Sequence, residues 1–175
     1  MNRRYIILIL IILCATGCKS NNNKMDNMKF QNGSDVDFYN IEEKYDSILV
    51  DLPEDWQVNN DYKTIFNIID EKGDKKGEIW VYEYKKDFDL KALQPNHSSI
   101  TNDEEIDLSI GKGRVLTLDA DNGTAASGIT GTHDEYLASI SVDEKEIYYI
   151  SFNNNDENEI SKEIFMSILK SIRLK

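Results

Sequence analysis

The first 18 residues constrain this chain more than any other segment. They read MNRRYIILILIILCATGC. Arg3 and Arg4 precede an apolar run from Tyr5 to Leu13, which is far shorter than the roughly 20 residues needed to cross a bilayer core. Small residues then lead to Cys18. A basic start, a short apolar run and a small-residue end are typical of a cleaved secretory signal peptide. We therefore expect the folded part to form from the rest of the chain.

The residues next to the expected cleavage site also suggest how the protein is held. Ala15, Thr16 and Gly17 directly before Cys18 resemble the lipobox of bacterial lipoproteins. The resemblance implies cleavage between Gly17 and Cys18 and attachment of a diacylglycerol to the Cys18 thiol. An ordinary secretory signal and an uncleaved signal anchor are the alternatives. Because two or more acyl chains hold a protein firmly on a bilayer, we expect a lipid anchor on the extracytoplasmic face of the cell membrane.

Cleavage would change both the cysteine content and the charge of the chain. The full chain has 175 residues, two cysteines and a net charge of −12. Cys14 would leave with the signal and Cys18 would carry lipid, so thiol catalysis, thiolate metal sites and disulfides are excluded from the mature domain. Removing residues 1–17 takes away Arg3 and Arg4 and no acid. The remaining 158 residues carry 18 basic and 32 acidic side chains, a net charge of −14.

This acidic balance bears on the partners. Nucleic acid binding needs clustered Lys and Arg, so we do not expect a nucleic acid partner. An acidic domain is also repelled by an anionic membrane surface. Residues 18–36 contain the lipidated cysteine and a stretch rich in Asn, Lys, Asp, Ser and Gly. This composition predicts a flexible tether, followed by one domain over residues 37–175.

Alternating apolar residues predict an antiparallel sheet of about six strands. The first predicted strand is Ser47–Leu52, and a hairpin follows from Lys63–Asp70 and Glu78–Lys85. Glu105–Ile110 and Gly113–Asp119 are predicted to form a strand pair or one bent strand with a kink at Gly-Lys-Gly. A second hairpin is predicted from His133–Val142 and Glu146–Asn153. A short helical piece is expected around Leu90–Leu93. Apolar residues at helical spacing predict a C-terminal amphipathic helix over about Asp156–Ile172. Strands followed by a helix laid on the sheet define an α+β fold.

Two segments resemble PsbP-like domains. One is DFYNIEEKYDSILVDLPEDWQV, where a first strand ends in Pro-x-x-Trp at Pro53 and Trp56. The other is the end of the chain, IFMSILKSIRLK, which resembles that family's final helix and short closing strand. The resemblance implies an antiparallel sheet covered by helices and an accessory or assembly role. It implies no catalytic residue and no cofactor.

Motifs that would indicate chemistry fail on their spacing. The segment DADNGT (Asp119–Thr124) places Gly123 at the fifth position of a calcium loop, whereas an EF-hand requires glycine at the sixth. An Asn-Gly turn between strands explains it instead. The segment Gly111-Lys112-Gly113-Arg114 lacks the spacing of a phosphate-binding loop and precedes a strand, so a kink is expected there.

The remaining candidates for metal ligands are adjacent in sequence. His133, Asp134 and Glu135 are candidates for a three-ligand metal site, and the alternative is a solvated strand start. His97 in PNHSS is expected to be a turn residue.

These observations leave three hypotheses for the function. The first is a membrane-anchored, non-enzymatic interaction or accessory module with a protein partner of unknown identity. The second is a divalent-cation or small-ligand binding protein of the cell envelope, drawn from the acidic composition. The third is an envelope hydrolase with a site built from Asp, Glu and His133. The first is preferred because the sequence supplies an anchor but no recognisable catalytic constellation.

Overall fold

The computed structural model describes residues 28–36, 48–62, 65–123, 127–152 and 160–175. These residues form ten strands, one α-helix and one short 3-10 helix. Their bounds are β1 Phe30–Val36, β2 Ile48–Pro53, β3 Trp56–Tyr62, β4 Ile65–Asp70, β5 Lys75–Glu83, the 3-10 helix Leu90–Leu93, β6 Ser98–Leu108, β7 Gly111–Asp121, β8 Thr132–Val142, β9 Glu146–Phe152, α1 Lys162–Ser171 and β10 Arg173–Leu174.

The strands form two antiparallel sheets. The small sheet has the order β1-β2-β10, and the large sheet has the order β3-β4-β5-β9-β8-β7-β6. The predicted α+β class, with a mainly antiparallel sheet and a helix near the C-terminus, is confirmed. The expected number of about six strands is wrong, because β1 and β3 are additional and the predicted kink at Gly-Lys-Gly separates two full strands. The count of six also left out β10, the short closing strand that the PsbP-like resemblance implied.

β9 lies at the centre of the large sheet, and all seven of its residues are buried. Side chains alternate between the faces of a strand, so a strand buried throughout must have a core on each side. Tyr148, Ile150 and Phe152 belong to the larger core, whereas Tyr149 belongs to the smaller one on the opposite face. The sheet is therefore covered on both faces at its centre.

Helix α1 belongs to the larger core. Ile164, Phe165, Ile168 and Leu169 are buried at helical spacing. Phe165 is fully buried and its ring lies between two sheet residues, stacked on Tyr136 with ring centroids 5.3 Å apart and edge-on to Phe152 at 5.4 Å. The predicted apolar stripe thus covers the sheet. Residues 156–159 of the predicted helix lie outside the described residues, and α1 begins at Lys162 after its N-cap Ser161.

The 3-10 helix belongs to the smaller core on the opposite face. Leu90 is buried together with Leu116, Leu118, Leu137 and Tyr149. Asp89 caps the helix by accepting a hydrogen bond from the backbone N–H of Lys91 at 3.0 Å. The predicted helical piece at Leu90–Leu93 is confirmed.

Residues 30–36, assigned to the tether by their composition, form strand β1 instead. β1 pairs with β2, and Gln31 Nε2 donates hydrogen bonds to the backbone carbonyls of Pro53 and Trp56. Gly33, with φ of +71°, accommodates the register shift in this pairing, and its N–H donates to Asp51 Oδ1 at 2.8 Å. Backbone pairing and packing of Phe30 on the core therefore order a polar segment. The domain begins before Phe30, not at residue 37.

Candidate functional site

An open groove of about 640 Å³ lies on the face of the large sheet that carries the smaller core. Its floor comes from strands β6 to β9, and one wall comes from the segment that leaves β5 toward the 3-10 helix. The lining side chains include four cationic, two acidic, two hydroxyl and four large apolar or aromatic groups, namely Lys85, Lys86, Lys112, Arg114, Glu105, Asp107, Ser139, Ser141, Tyr84, Phe88, Ile106 and Ile147. In a chain with a net charge of −12, this lining has an excess of two positive charges.

Strand register explains why a depression forms at this place. Lys112 of β7 is paired with Ser141 of β8, and Ser141 is paired with Ile147 of β9. In the adjacent row on the same face, Arg114 is paired with Ser139, and Ser139 with Tyr149. Each row thus has one small serine between two long or bulky neighbours. The floor is consequently lowest along β8.

The cationic side of the groove is fixed by a carboxylate next to it. Asp103 of β6 accepts hydrogen bonds from Nε and Nη2 of Arg114, both at 2.8 Å, and Lys91 Nζ lies 2.8 Å from its Oδ2. The Arg114 guanidinium, with the Lys91 ammonium, holds the pKa of the Asp103 carboxyl well below its usual range. Because Asp103 occupies two guanidinium nitrogens, Arg114 is oriented and keeps Nη1 for another acceptor.

The other cationic and hydroxyl groups of the lining have no side-chain partner within the part of the chain that the structure describes. Among the described residues, no carboxylate lies within ion-pair distance of Lys85, Lys86 or Lys112. Ser139 and Ser141 are half-buried. The groove therefore presents ammonium and hydroxyl donors, from β7, β8 and the segment after β5, next to the apolar side chains of Ile147 and Phe88.

Aromatic side chains continue from the groove toward the smaller core. Tyr82 packs against Trp80, Phe88 and Tyr149 with ring centroids 5.9–6.5 Å apart. Burial raises the pKa of the Tyr149 hydroxyl to about 12, and burial also raises that of Tyr82. The Trp80 Nε1–H is buried and has no acceptor among the residues that the structure describes. These rings form a wall beside the groove with no ionised group among them at neutral pH.

The structure brings two of the three candidate metal ligands of β8, His133 and Glu135, together and separates Asp134 from them. His133 lies between two side chains, with Nδ1 2.6 Å from Asn122 Oδ1 and Nε2 3.3 Å from Glu135 Oε1. Strand alternation turns Asp134 to the other face, where the Tyr136 hydroxyl donates to its Oδ2 at 3.4 Å. Over the described ranges, no group of three or more His, Cys, Asp or Glu side chains is arranged to hold a metal ion.

The other predicted positions are placed as follows. His97 lies in a turn before β6 with φ of +62°, as expected for a turn residue. Asn122 and Gly123 begin a loop that closes through Asn122 N–H to the Gly131 carbonyl at 2.9 Å, so they do not form a tight two-residue turn. The cleavage and lipidation residues Gly17 and Cys18 lie outside the described residues. Within the described part of the chain, no helix is both long and apolar enough to span a membrane.

The sequence is matched by no protein-family model and by no curated protein. Among solved structures, the chain is similar to the solution structure of cyanobacterial PsbP (CyanoP) from Synechocystis sp. PCC 6803. The two share 12% sequence identity and superpose with a TM-score of 0.49, over 82% of this chain and 94% of that chain. At this identity the similarity concerns the fold alone, and no residue role is carried over from that protein.

Proposed function

We propose that this chain is a lipid-anchored protein of a bacterial cell envelope whose extracytoplasmic domain is a non-enzymatic interaction or accessory module. The groove is the single observation that carries the binding role. All its polar side chains except those of the wall segment after β5 stand on paired strands of one sheet, and strands hold recognition groups more precisely than loops do. Of the described side chains, those that line it include donors without fixed partners next to apolar surface, an arrangement typical of binding sites.

The anchoring role is supported by the N-terminal residues. The basic start, the short apolar run and the small residues before Cys18 fit a lipoprotein signal. After cleavage the chain carries a net charge of −14, which disfavours contact between the domain and an anionic bilayer surface. We therefore expect the domain to face its partner rather than to lie on the lipid.

The anchoring proposal is tested by comparing two cysteine substitutions in cells. Cys18→Ala removes the expected lipid acceptor, and Cys14→Ala is the matched control because Cys14 lies in the segment expected to be removed. We expect an alkyne fatty acid to label the native chain and Cys14→Ala, and both to fractionate with the membrane. Cys18→Ala should be unlabelled. Labelling of Cys18→Ala, or native protein without any label, would contradict the proposal.

The interaction role is tested by photo-crosslinking in living cells. A photoreactive residue at Lys86, an exposed position on the groove wall, is compared with one at Lys170, which is exposed on α1. We expect a specific adduct from Lys86 and none from Lys170. Equal adducts from both positions, or none from Lys86 at normal abundance, count against this use of the groove.

The alternative of divalent-cation binding receives less support from the geometry. The Asp103 carboxylate is engaged by Arg114 and Lys91, and Glu104 lies 2.6 Å from Lys162 Nζ. A cation at Asp103 or Glu104 would have to displace these partners. A melting temperature that rises with calcium or zinc and falls with chelator would favour this alternative, because a ligand that binds the folded state stabilises it.

A further inference from the structure

We propose that the groove binds a phosphate-bearing ligand with an apolar body, the phosphate lying over Ser139 and Ser141. This inference deepens the binding role proposed above and rests on it. The serine hydroxyls lie two residues apart on one strand, so both face the same side of the sheet. On that face their neighbours on β7 are Lys112 and Arg114. An oxyanion above β8 would therefore meet two hydroxyl donors and two cationic side chains.

The number of separate donors in the groove favours phosphate over carboxylate. Arginine can hold either group through two parallel hydrogen bonds. In this protein Asp103 already occupies the Nε and Nη2 edge of Arg114 at 2.8 Å. The groove consequently offers single donors from several directions, and a phosphate has enough acceptor oxygens to use them. Lysine binds phosphate well as a point charge, which is the role available to Lys112.

The charge distribution of the lining places the phosphate over β8. Glu105 and Asp107 of β6 are paired with Arg114 and Lys112 at the outer rim. They would repel a phosphate at the sheet edge and accept hydrogen bonds from hydroxyl or amino groups of the same ligand. Lys85 and Lys86 contribute positive charge from the opposite wall. The phosphate is thus expected over β8, between the two sets of cations.

Apolar side chains define the rest of the ligand. Ile147 and Phe88 border the hydroxyl row, and Tyr84 adds an aromatic side chain to the lining. Burying apolar ligand surface against them adds affinity that an inorganic phosphate lacks. An organic phosphate should therefore bind more tightly than inorganic phosphate.

The test measures phenyl phosphate binding by isothermal titration calorimetry, with the full-length lipoprotein in a non-ionic detergent. Inorganic phosphate, benzoate and phenol serve as comparison ligands. Lys112→Gln and the double variant Ser139→Ala/Ser141→Ala remove groove donors, and Lys170→Gln is the matched control on the other side of the sheet. We expect the groove variants to weaken phenyl phosphate about fivefold or more, since a hydrogen bond to a charged group contributes on this scale. Lys170→Gln should leave affinity unchanged.

Three results would overturn the proposal. They are no phenyl phosphate binding at millimolar concentration, binding unaffected by the groove variants, and benzoate binding as tightly as phenyl phosphate. Circular dichroism of each variant establishes that it folds. The conservative double variant Ser139→Thr/Ser141→Thr is a second substitution at the same two positions, and it retains both hydroxyls. If Lys86 still forms a specific crosslink while phenyl phosphate fails to bind, the phosphate chemistry is wrong and the interaction role stands.

A second arm identifies whether the phosphate is carried by a lipid or by a soluble molecule. Nanodiscs containing phosphatidylglycerol are compared with the detergent reference. If a lipid headgroup enters the groove, it competes with phenyl phosphate and lowers its apparent affinity in these nanodiscs, and this effect disappears in Lys112→Gln. An unchanged affinity assigns the groove to a soluble organic phosphate. Both results support a phosphate site, since both require phenyl phosphate to bind there.

Discussion

Removal of the Phe165 ring should weaken the attachment of α1 to the large sheet more than any exposed substitution on the helix. Phe165 is fully buried and contacts Tyr136 and Phe152 at ring-centroid distances of 5.3 and 5.4 Å. Burial of such a side chain contributes roughly 1.5–3 kcal/mol. Each aromatic pair adds about 0.5–1.5 kcal/mol. The total agrees with the roughly 3–5 kcal/mol typical of Phe→Ala in a core.

We therefore expect Phe165→Ala to lower the free energy of unfolding by about 4 kcal/mol. For a domain of this size each kcal/mol lowers the melting temperature by about 2–4 °C, so the loss should be about 8–16 °C. Urea unfolding is followed by far-ultraviolet circular dichroism and by tryptophan fluorescence. The fluorescence reports on this core because Trp56 stacks on Phe152 at 5.9 Å.

Lys170→Ala is the matched control, because Lys170 is exposed on the same helix. Its effect should stay within about 0.5 kcal/mol. Phe165→Leu keeps part of the buried volume and should fall between the two. If Phe165→Ala unfolds within about 1 kcal/mol of the native chain, with an unchanged urea slope, the ring does not anchor the helix. That result would refute the packing described above.

Three further substitutions test local features. Gly77→Ala would place Cβ 2.4 Å from the Ser151 carbonyl oxygen, so we expect a loss of about 1–3 kcal/mol in urea unfolding, and an unchanged midpoint would contradict this close approach. Asp70 forms a buried ion pair with Lys76 at 2.8 Å, which together with backbone hydrogen bonds holds the pKa of Asp70 below its ordinary value of 3.8. A carboxyl whose pKa is lower in the folded than in the unfolded state stabilises the fold above the unfolded-state pKa, and this stabilisation is lost as pH falls through the folded-state pKa. Asp70→Asn should therefore melt below the native chain at pH 7 and approach the native melting temperature below pH 3.8. A constant difference in melting temperature across that range would refute the linkage. Ser161→Ala removes the N-cap of α1 and should cost about 1 kcal/mol, whereas Ser161→Asp should retain stability in the same melt.

The elements that the sequence predicted are those with a strong apolar period. In β8, the buried residues Ala138, Ile140 and Val142 alternate with the half-buried Ser139 and Ser141, and the hairpin with β9 follows. β1 and β3 were not predicted, because their sequences, FQNGSDV and WQVNNDY, are mostly polar and lack a strong apolar period. Their strand conformation depends on pairing with neighbours, which no local pattern reveals. The PsbP-like resemblance and the lipobox stay predictions drawn from short motifs.

The groove could not be predicted from the sequence, for a related reason. Lys112 and Arg114 were visible in the Gly-Lys-Gly-Arg segment, and their rejection as a phosphate-binding loop is consistent with their position on strand β7. Ser139 and Ser141 carry no distinctive spacing. These residues become one surface only through the register of β7, β8 and β9 and through the segment that follows β5. That register is a property of the assembled sheet.

The position of β1 limits how far the domain can stand from its expected lipid. Only Lys19 to Lys29, eleven residues, separate Cys18 from Phe30, where β1 begins. Even a fully extended chain of that length spans no more than about 40 Å. A lipidated Cys18 would therefore confine the start of the small sheet to a thin layer above the head groups.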